Sequence, residues 1–271
     1  MRFIVLLLTS IVACACIQKE TAAETKMLVD ERFQSMLDSM KLKGSILIYD
    51  LKKDSYHSND FKWAEQGYLP ASTYKIPNSI IALETAAVAH DSVVFKWDGQ
   101  DRWLPVWEQD LTFLQAFQYS CVPCYQEVAR AIGVDQMRAS LDQLDYGNIV
   151  FDETDIDQFW LQGESKISLF EQIDFLRRLQ EGKLPIEERT RRILKSMLLI
   201  EQTEEYSLYG KTGWSIQGDL NNGWFVGYVE KGEGVFFFAT NIEPQEGFDM
   251  SSFANIRRPL TLQALALLDV L

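Results

Sequence analysis

Beyond Tyr206 the chain changes its period. Residues 209–216, 223–230 and 235–240 are rich in aromatic and β-branched side chains, and Gln217-Gly218-Asp219 and Lys231-Gly232-Glu233-Gly234 punctuate them. Turns of that kind join antiparallel neighbours, so this part of the chain is expected to fold as a three-stranded meander. A second β signal lies far upstream. Residues 45–51 are aliphatic and β-branched, Lys52-Lys53-Asp54-Ser55 turns the chain back, and Tyr56-His57 begins a second strand. Between these regions the pattern is helical. Apolar residues recur at helical spacing over 27–40, and a helix runs from the Pro70 turn to about Ala89, its first turns distorted by Pro77. Residues 125–132 close at Gly133, and 136–144 close before Tyr146-Gly147-Asn148. Ser168-Leu169-Phe170-Glu171 is a capping box for a helix to Gly182, and 187–199 forms another helix after Pro185. Pro259 suits the first turn of a closing helix, 260–270. The expected fold class is α+β: a central antiparallel sheet assembled from both ends of the chain and flanked by helices, with a mainly helical second lobe inserted. Residues 27–90 and 200–271 would form the sheet lobe and 91–199 the helical lobe.

With 271 residues, 47% of them apolar and 24% charged, the domain can bury a sizeable core. The net charge of −13 is dispersed, and no basic run or basic-aromatic stripe offers a surface to nucleic acid. His57 and His90 lie in no ligand-like spacing, so no metal is expected. Met1-Arg2, an apolar run over 3–8 and a small-residue end make residues 1–13 a secretory signal, too short to span a membrane. Ile11-Val12-Ala13-Cys14 resembles a bacterial lipobox, which would leave Cys14 lipidated at the head of a tether, 14–26, and the mature chain anchored in the periplasm. Ordinary cleavage near Ala13 or Ala23 is the alternative. Cys121 and Cys124 remain in the folded part. Their C-V-P-C spacing is compatible with a redox pair or a short helical disulfide, and the reading favoured here is two small buried side chains.

The chemistry-bearing residues begin with Pro70-Ala71-Ser72-Thr73-Tyr74-Lys75-Ile76-Pro77-Asn78. At a spacing of three, Ser72 and Lys75 share a helix face, a hydroxyl beside an amine. A serine needs a neighbouring base to attack, and a lysine serves if its surroundings keep it from being a solvated ammonium. Ser120-Cys121-Val122, Tyr146-Gly147-Asn148 and Lys211-Thr212-Gly213 add residue types suited to acyl transfer. Lys211 could hold a carboxylate, Thr212 could hydrogen-bond it, and Gly213 lets a substrate backbone approach the strand. Each alone is equally what a polar cap, a turn or a strand lysine would supply.

Together, in this order, and with Trp97-Asp98-Gly99, Phe159-Trp160-Leu161, Trp214 and Gly223-Trp224-Phe225-Val226-Gly227-Tyr228, they resemble the class D β-lactamases of the serine penicillin-recognising superfamily. The resemblance implies hydrolysis of β-lactam antibiotics, and hence resistance to them, with Ser72 as nucleophile and the amides of Ser72 and Trp214 as oxyanion hole. It implies that Lys75 is carbamylated by carbon dioxide to N6-carboxylysine and acts as general base, in a pocket of Val122, Trp160 and Leu161 with the Trp160 indole bonding the carbamate. Ser120 would relay a proton to the leaving nitrogen. Lys211, Thr212 and Gly213 would bind the substrate, aided by Arg257, whose match competes with Arg258; Tyr146 and Asn148 would shape the pocket. The partner implied is the small-molecule substrate, acting on a monomer or homodimer, with no cofactor beyond carbon dioxide or bicarbonate. The family usually has phenylalanine where Tyr74 stands, so a hydroxyl is expected beside the carbamate pocket. Rival readings are a β-lactam sensor or penicillin-binding domain that is acylated and not turned over, and a non-enzymatic surface lipoprotein.

Overall fold

The computed structural model describes residues 25–271, so the signal sequence, Cys14 and nearly all of the tether lie outside the described residues. In chain order the elements are strand β1 (Lys26–Val29), helix α1 (Glu31–Ser39), the hairpin β2 (Leu42–Asp50) and β3 (Ser55–Ser58), and helix α2 (Phe61–Glu65). A 3-10 turn, Ala71–Tyr74, leads into α3 (Lys75–Glu84). Next come the short strands β4 (Val94–Phe95) and β5 (Leu111–Thr112) and helices α4 (Phe113–Gln118), α5 (Val122–Ile132), α6 (Val134–Leu144), α7 (Leu169–Gln180) and α8 (Glu188–Leu198). The chain closes with β6 (Leu199–Gln202), β7 (Tyr206–Gln217), β8 (Leu220–Lys231), β9 (Gly234–Pro244) and α9 (Phe253–Leu267).

Seven strands form one sheet in the order β1-β3-β2-β9-β8-β7-β6, so strands from both ends of the chain meet where β2 pairs with β9. The expected meander is β7-β8-β9, each strand longer than its apolar run because the two hairpin ends continue the ladder. The sheet departs from a purely antiparallel one at its edge, where β1 runs parallel to β3. Met27, Leu28 and Val29 therefore belong to that strand and not to the first helix. Asp30 starts α1 by accepting the Arg32 amide, an N-cap that separates the two elements.

Side chains of β8 alternate between two cores. Trp224, Val226 and Tyr228 join the core beneath α3 and α5–α8, whereas Phe225 and Val229 join Phe33 of α1 and Leu260 and Leu265 of α9. With both faces covered, the strands read as apolar runs and not as an alternation. Helix α7 packs on β8 and β9, and α3 packs on α5, α6 and α8.

The capping box Ser168–Glu171 opens α7 as expected, and Thr112–Gln115 forms a second box at α4 that the sequence reading did not single out. Pro77 is the third residue of α3, within the first turn where a missing amide costs least, and the helix ends at Glu84 and not at Ala89. Pro259 is interior to α9 and not at its start. The carbonyl it leaves without a donor belongs to Asn255, and both residues are exposed, so water can take the bond. Among the described residues no helix is long and apolar enough to cross a membrane.

Candidate active site

Ser72 and Lys75 are placed by the 3-10 turn that precedes α3. With three residues per turn, positions three apart eclipse, and Lys75 Nζ donates to Ser72 Oγ at 3.2 Å. Ala71, just before the nucleophile candidate, has φ 49°, a left-handed conformation that a residue with a Cβ holds only when its surroundings enforce it. The enforcement comes from β7, which packs on this turn. A Cβ on Gly213 would sit 3.2 Å from the Pro70 carbonyl oxygen and 3.3 Å from the Ala71 Cβ, so glycine is what lets the strand come this close.

Lys75 is wholly buried, and burial pushes its amine down to about 7 from 10.5. Its Nζ lies 4.9 Å from the centre of the Tyr125 ring. Tyr125 OH and Ser79 Oγ are hydrogen-bonded at 2.6 Å, and Ser79 Oγ donates to the Lys75 carbonyl. Neither residue is prominent in the sequence reading. Signals for both exist: Ser79 lies four residues after Lys75 and Tyr125 three after Val122, helical spacings that put each on a shared face.

Ser120 stands between α4 and α5, also at positive φ (55°), and Lys211 Nζ of β7 donates to its hydroxyl. The outer edge of β7 pairs with β6 only as far as Tyr209, which leaves Lys211, Thr212, Gly213 and Trp214 with a free edge beside the Ser72 turn. Arg257 reaches the same strand from α9. It is buried, donates to the Gly213 carbonyl, and lies 5.9 Å from the Trp214 ring centre. Arg258 pairs instead with Glu201 at 3.2 Å, so the tertiary structure assigns the site-facing role to Arg257.

Lys75, Lys211 and Arg257 enter no ion pair among the described residues, while thirteen pairs form elsewhere. Burial, then the charges of Lys75 and Arg257, push the Lys211 amine well below its ordinary value. Burial pushes Arg257 down to about 10. A chain of net charge −13 thus collects in one place three buried basic side chains that have no acidic partner among the described residues. Such a cluster is costly to the fold and suited to an anionic ligand or an anionic transition state.

Trp160 is fully buried, stacked on Tyr74 at 5.4 Å, and its indole N–H has no partner among the described residues. Val122 and Leu161 are half-buried and pack against the same core. The Tyr74 hydroxyl donates to Met137 Sδ at 3.0 Å, so it is committed to α6 and not to the pocket where the sequence reading expects it. Tyr146 meets Tyr74 edge to face at 6.0 Å and is itself buried. Asn148 is exposed and pairs its backbone with Lys166. Cys121 and Cys124 are joined by a disulfide, which corrects the expectation of two free side chains. Both expectations share burial; what the sequence cannot supply is that the helix start sets the two sulfurs face to face. Among the described residues no group of three or more His, Cys, Asp or Glu could hold a metal ion.

The family model for the penicillin-binding protein transpeptidase domain matches residues 41–261. The chain is 38% identical over 261 residues to the β-lactamase OXA-48 of Klebsiella pneumoniae, covering 96% of this chain and 97% of that one. It is 37% identical over 219 residues to the probable β-lactamase YbxI of Bacillus subtilis, covering 81% of this chain and 79% of the relative. Among solved structures, a class D β-lactamase from Sebaldella termitidis superposes with a TM-score of 0.86 at 36% identity, over 92% of this chain and 100% of that one. A class D enzyme from Nostoc gives 0.84 at 39%, over 88% and 99%.

Proposed function

This chain belongs to the class D β-lactamases, serine hydrolases, and from that membership we propose how its own residues open and hydrolyse a β-lactam ring. The observation that carries the proposal is Lys75: buried, without an acidic partner among the described residues, its amine pushed down to about 7, and 3.2 Å from Ser72 Oγ.

A neutral amine can take up carbon dioxide and a solvated ammonium cannot. The Trp160 N–H supports this modification, because it is a buried donor with no hydrogen-bond partner among the described residues. N6-carboxylysine would supply an oxygen base for the Ser72 hydroxyl proton and, after acylation, for the hydrolytic water. Ser72 Oγ bonds to the lactam carbonyl carbon as its proton leaves, and the C–N bond breaks when the resulting tetrahedral oxyanion collapses. The amides of Ser72 and Trp214 receive the developing oxyanion, a contribution of about 3 kcal/mol per donor in such sites. Ser120 Oγ passes a proton to the departing nitrogen and is held for this by Lys211. Lys211, Thr212 and Arg257 hold the substrate carboxylate at the free edge of β7, beside Gly213. Export is supported by residues 1–13 and by the Cys121–Cys124 disulfide, since such bonds persist in oxidising compartments. Cys14 is the proposed site of lipid attachment.

Mixing the enzyme with a chromogenic cephalosporin tests the reading. Acylation of Ser72 followed by steady turnover that rises with added bicarbonate is expected. A single acylation per molecule without turnover would make the chain a β-lactam sensor, and no reaction would overturn both. The modification has its own readout: a carbamate resonance in carbon-13 NMR after exchange with labelled bicarbonate, absent from Lys75→Ala.

A further inference from the structure

The C-V-P-C stretch is used by none of the steps above, yet its position is central. Cys121 is the N-cap of α5 and Cys124 lies in the first turn of that helix. The residues around them serve both halves of the site. Ser120, immediately before the N-cap, meets Lys211, and Tyr125, immediately after the second cysteine, lies over Lys75. Val122 lies between the two cysteines in sequence.

That first turn has few other fastenings. Pro123 has no amide to donate, and the Cys124 amide is taken by Cys121 Sγ at 3.3 Å. The Tyr125 amide reaches the Cys121 carbonyl only at 3.4 Å, beyond the usual hydrogen-bond range. Ser120 is in a left-handed conformation that its own backbone does not favour. The segment is anchored ahead of the turn, where the Ser120 amide donates to the Phe117 carbonyl at 3.1 Å and the Cys121 amide to the Ala116 carbonyl at 2.8 Å. Across the turn itself the disulfide is the covalent tie.

We propose that the Cys121–Cys124 disulfide is a positioning element of the active site: it holds Ser120 against Lys211 and the Tyr125 ring over Lys75, so that turnover depends on its oxidation state. The inference rests on the roles given above to Ser120 and Lys75. Cys121 and Cys124 are among the residues lining a cavity of about 250 Å³ whose walls also include Trp97, Asp98, Glu127 and Arg130 and none of Ser72, Lys75, Ser120 or Lys211. A dithiol entering there gives two electrons and two protons. The S–S bond breaks, both cysteines become thiols, and the reductant closes into its own cyclic disulfide.

The test compares oxidised and dithiothreitol-reduced enzyme at 25 °C, with iodoacetamide labelling at Cys121 and Cys124 confirming reduction and near-ultraviolet circular dichroism confirming a folded core. Reduction is expected to slow Ser72 acylation about tenfold in rapid-mixing experiments, to change KM less than twofold, and to be reversed by reoxidation. A Cys121→Ser/Cys124→Ala double variant keeps an N-cap acceptor and loses the bond. It should show the same slow acylation and no further response to dithiothreitol. An unchanged acylation rate in fully reduced, folded enzyme overturns the inference and leaves the β-lactamase reading intact. So does a loss that appears only in step with unfolding, since a purely structural bond would behave that way. Failure of the oxidised enzyme to become acylated overturns both together.

Discussion

A lysine with no surface of its own and no carboxylate beside it is an expensive thing to fold, and Lys75 shows what the cost achieves. Its folded amine is pushed down to about 7 by burial, while in the unfolded chain it stays near 10.5. Between those values the unfolded state binds more protons, so the stability contribution of this group improves as pH rises through the window; below about pH 7 the full penalty of a buried ammonium is present. Lys75→Met should therefore unfold at higher temperature than the parent in carbon dioxide-free buffer, by on the order of 3 kcal/mol near pH 6. The gain should shrink toward pH 9, and calorimetry at both values checks it, while β-lactam turnover is lost. Trp160→Phe keeps an aromatic ring against Tyr74 but removes the indole N–H together with part of a fully buried ring system. Stability should fall by about 1–3 kcal/mol while the folded variant deacylates at least tenfold more slowly and its carbamate resonance weakens. The Ser72–Lys75 pair is legible in the sequence because spacing alone puts the two on one face. Tyr74 is not: nothing local says that its hydroxyl turns to Met137, some sixty positions later, and not to the pocket.

At the scale of elements, the site is a strand edge pressed against a 3-10 turn. Gly213 is the contact residue, with a would-be Cβ 3.2 Å from both the Pro70 carbonyl oxygen and Thr73 Cγ2. Gly213→Ala should push β7 back by a few tenths of an ångström and shift the Trp214 amide relative to Ser72. The expected result is about tenfold slower acylation with a stability loss of about 1 kcal/mol, read from rapid mixing and from denaturant unfolding. Helices α5, α7 and α8 are legible because caps, Gly133, Gly182 and Pro185 mark their ends by local chemistry. Strands β1 and β6 are not. Four residues carry too little pattern, and β1 presents only exposed side chains, so each is defined by the ladder of a neighbour. The interior position of Pro259 is missed for a related reason, since the local rule for proline assumes that the freed carbonyl has nowhere to go.

Across the whole molecule, the sheet separates two cores: one holds Tyr74, Tyr125 and Trp160 of the site, and the other meets the site through Trp214. Phe33 lies in the latter, under α1 and α9. Phe33→Ala should cost about 3–5 kcal/mol of stability yet leave kcat/KM at 25 °C within about twofold of the parent, as long as circular dichroism shows a folded protein; a large activity loss would mean that the two faces are coupled through the sheet. The β2–β9 junction has the same division of causes as the smaller features. What the sequence by itself determines is everything that depends on neighbours along the chain: the periods that make helices and strands, the caps, the turn that aligns Ser72 with Lys75, and the order of motifs that identifies the family. What only the tertiary structure decides is everything that depends on which distant segments share a volume. That includes the choice of Arg257 over Arg258, the gathering of Lys75, Lys211 and Arg257 without counter-ions, and the bonding of Cys121 to Cys124 at the start of α5. Burial and long-range electrostatics belong to the packed volume and not to the order of residues, so they appear only when the two ends of the chain close on one sheet.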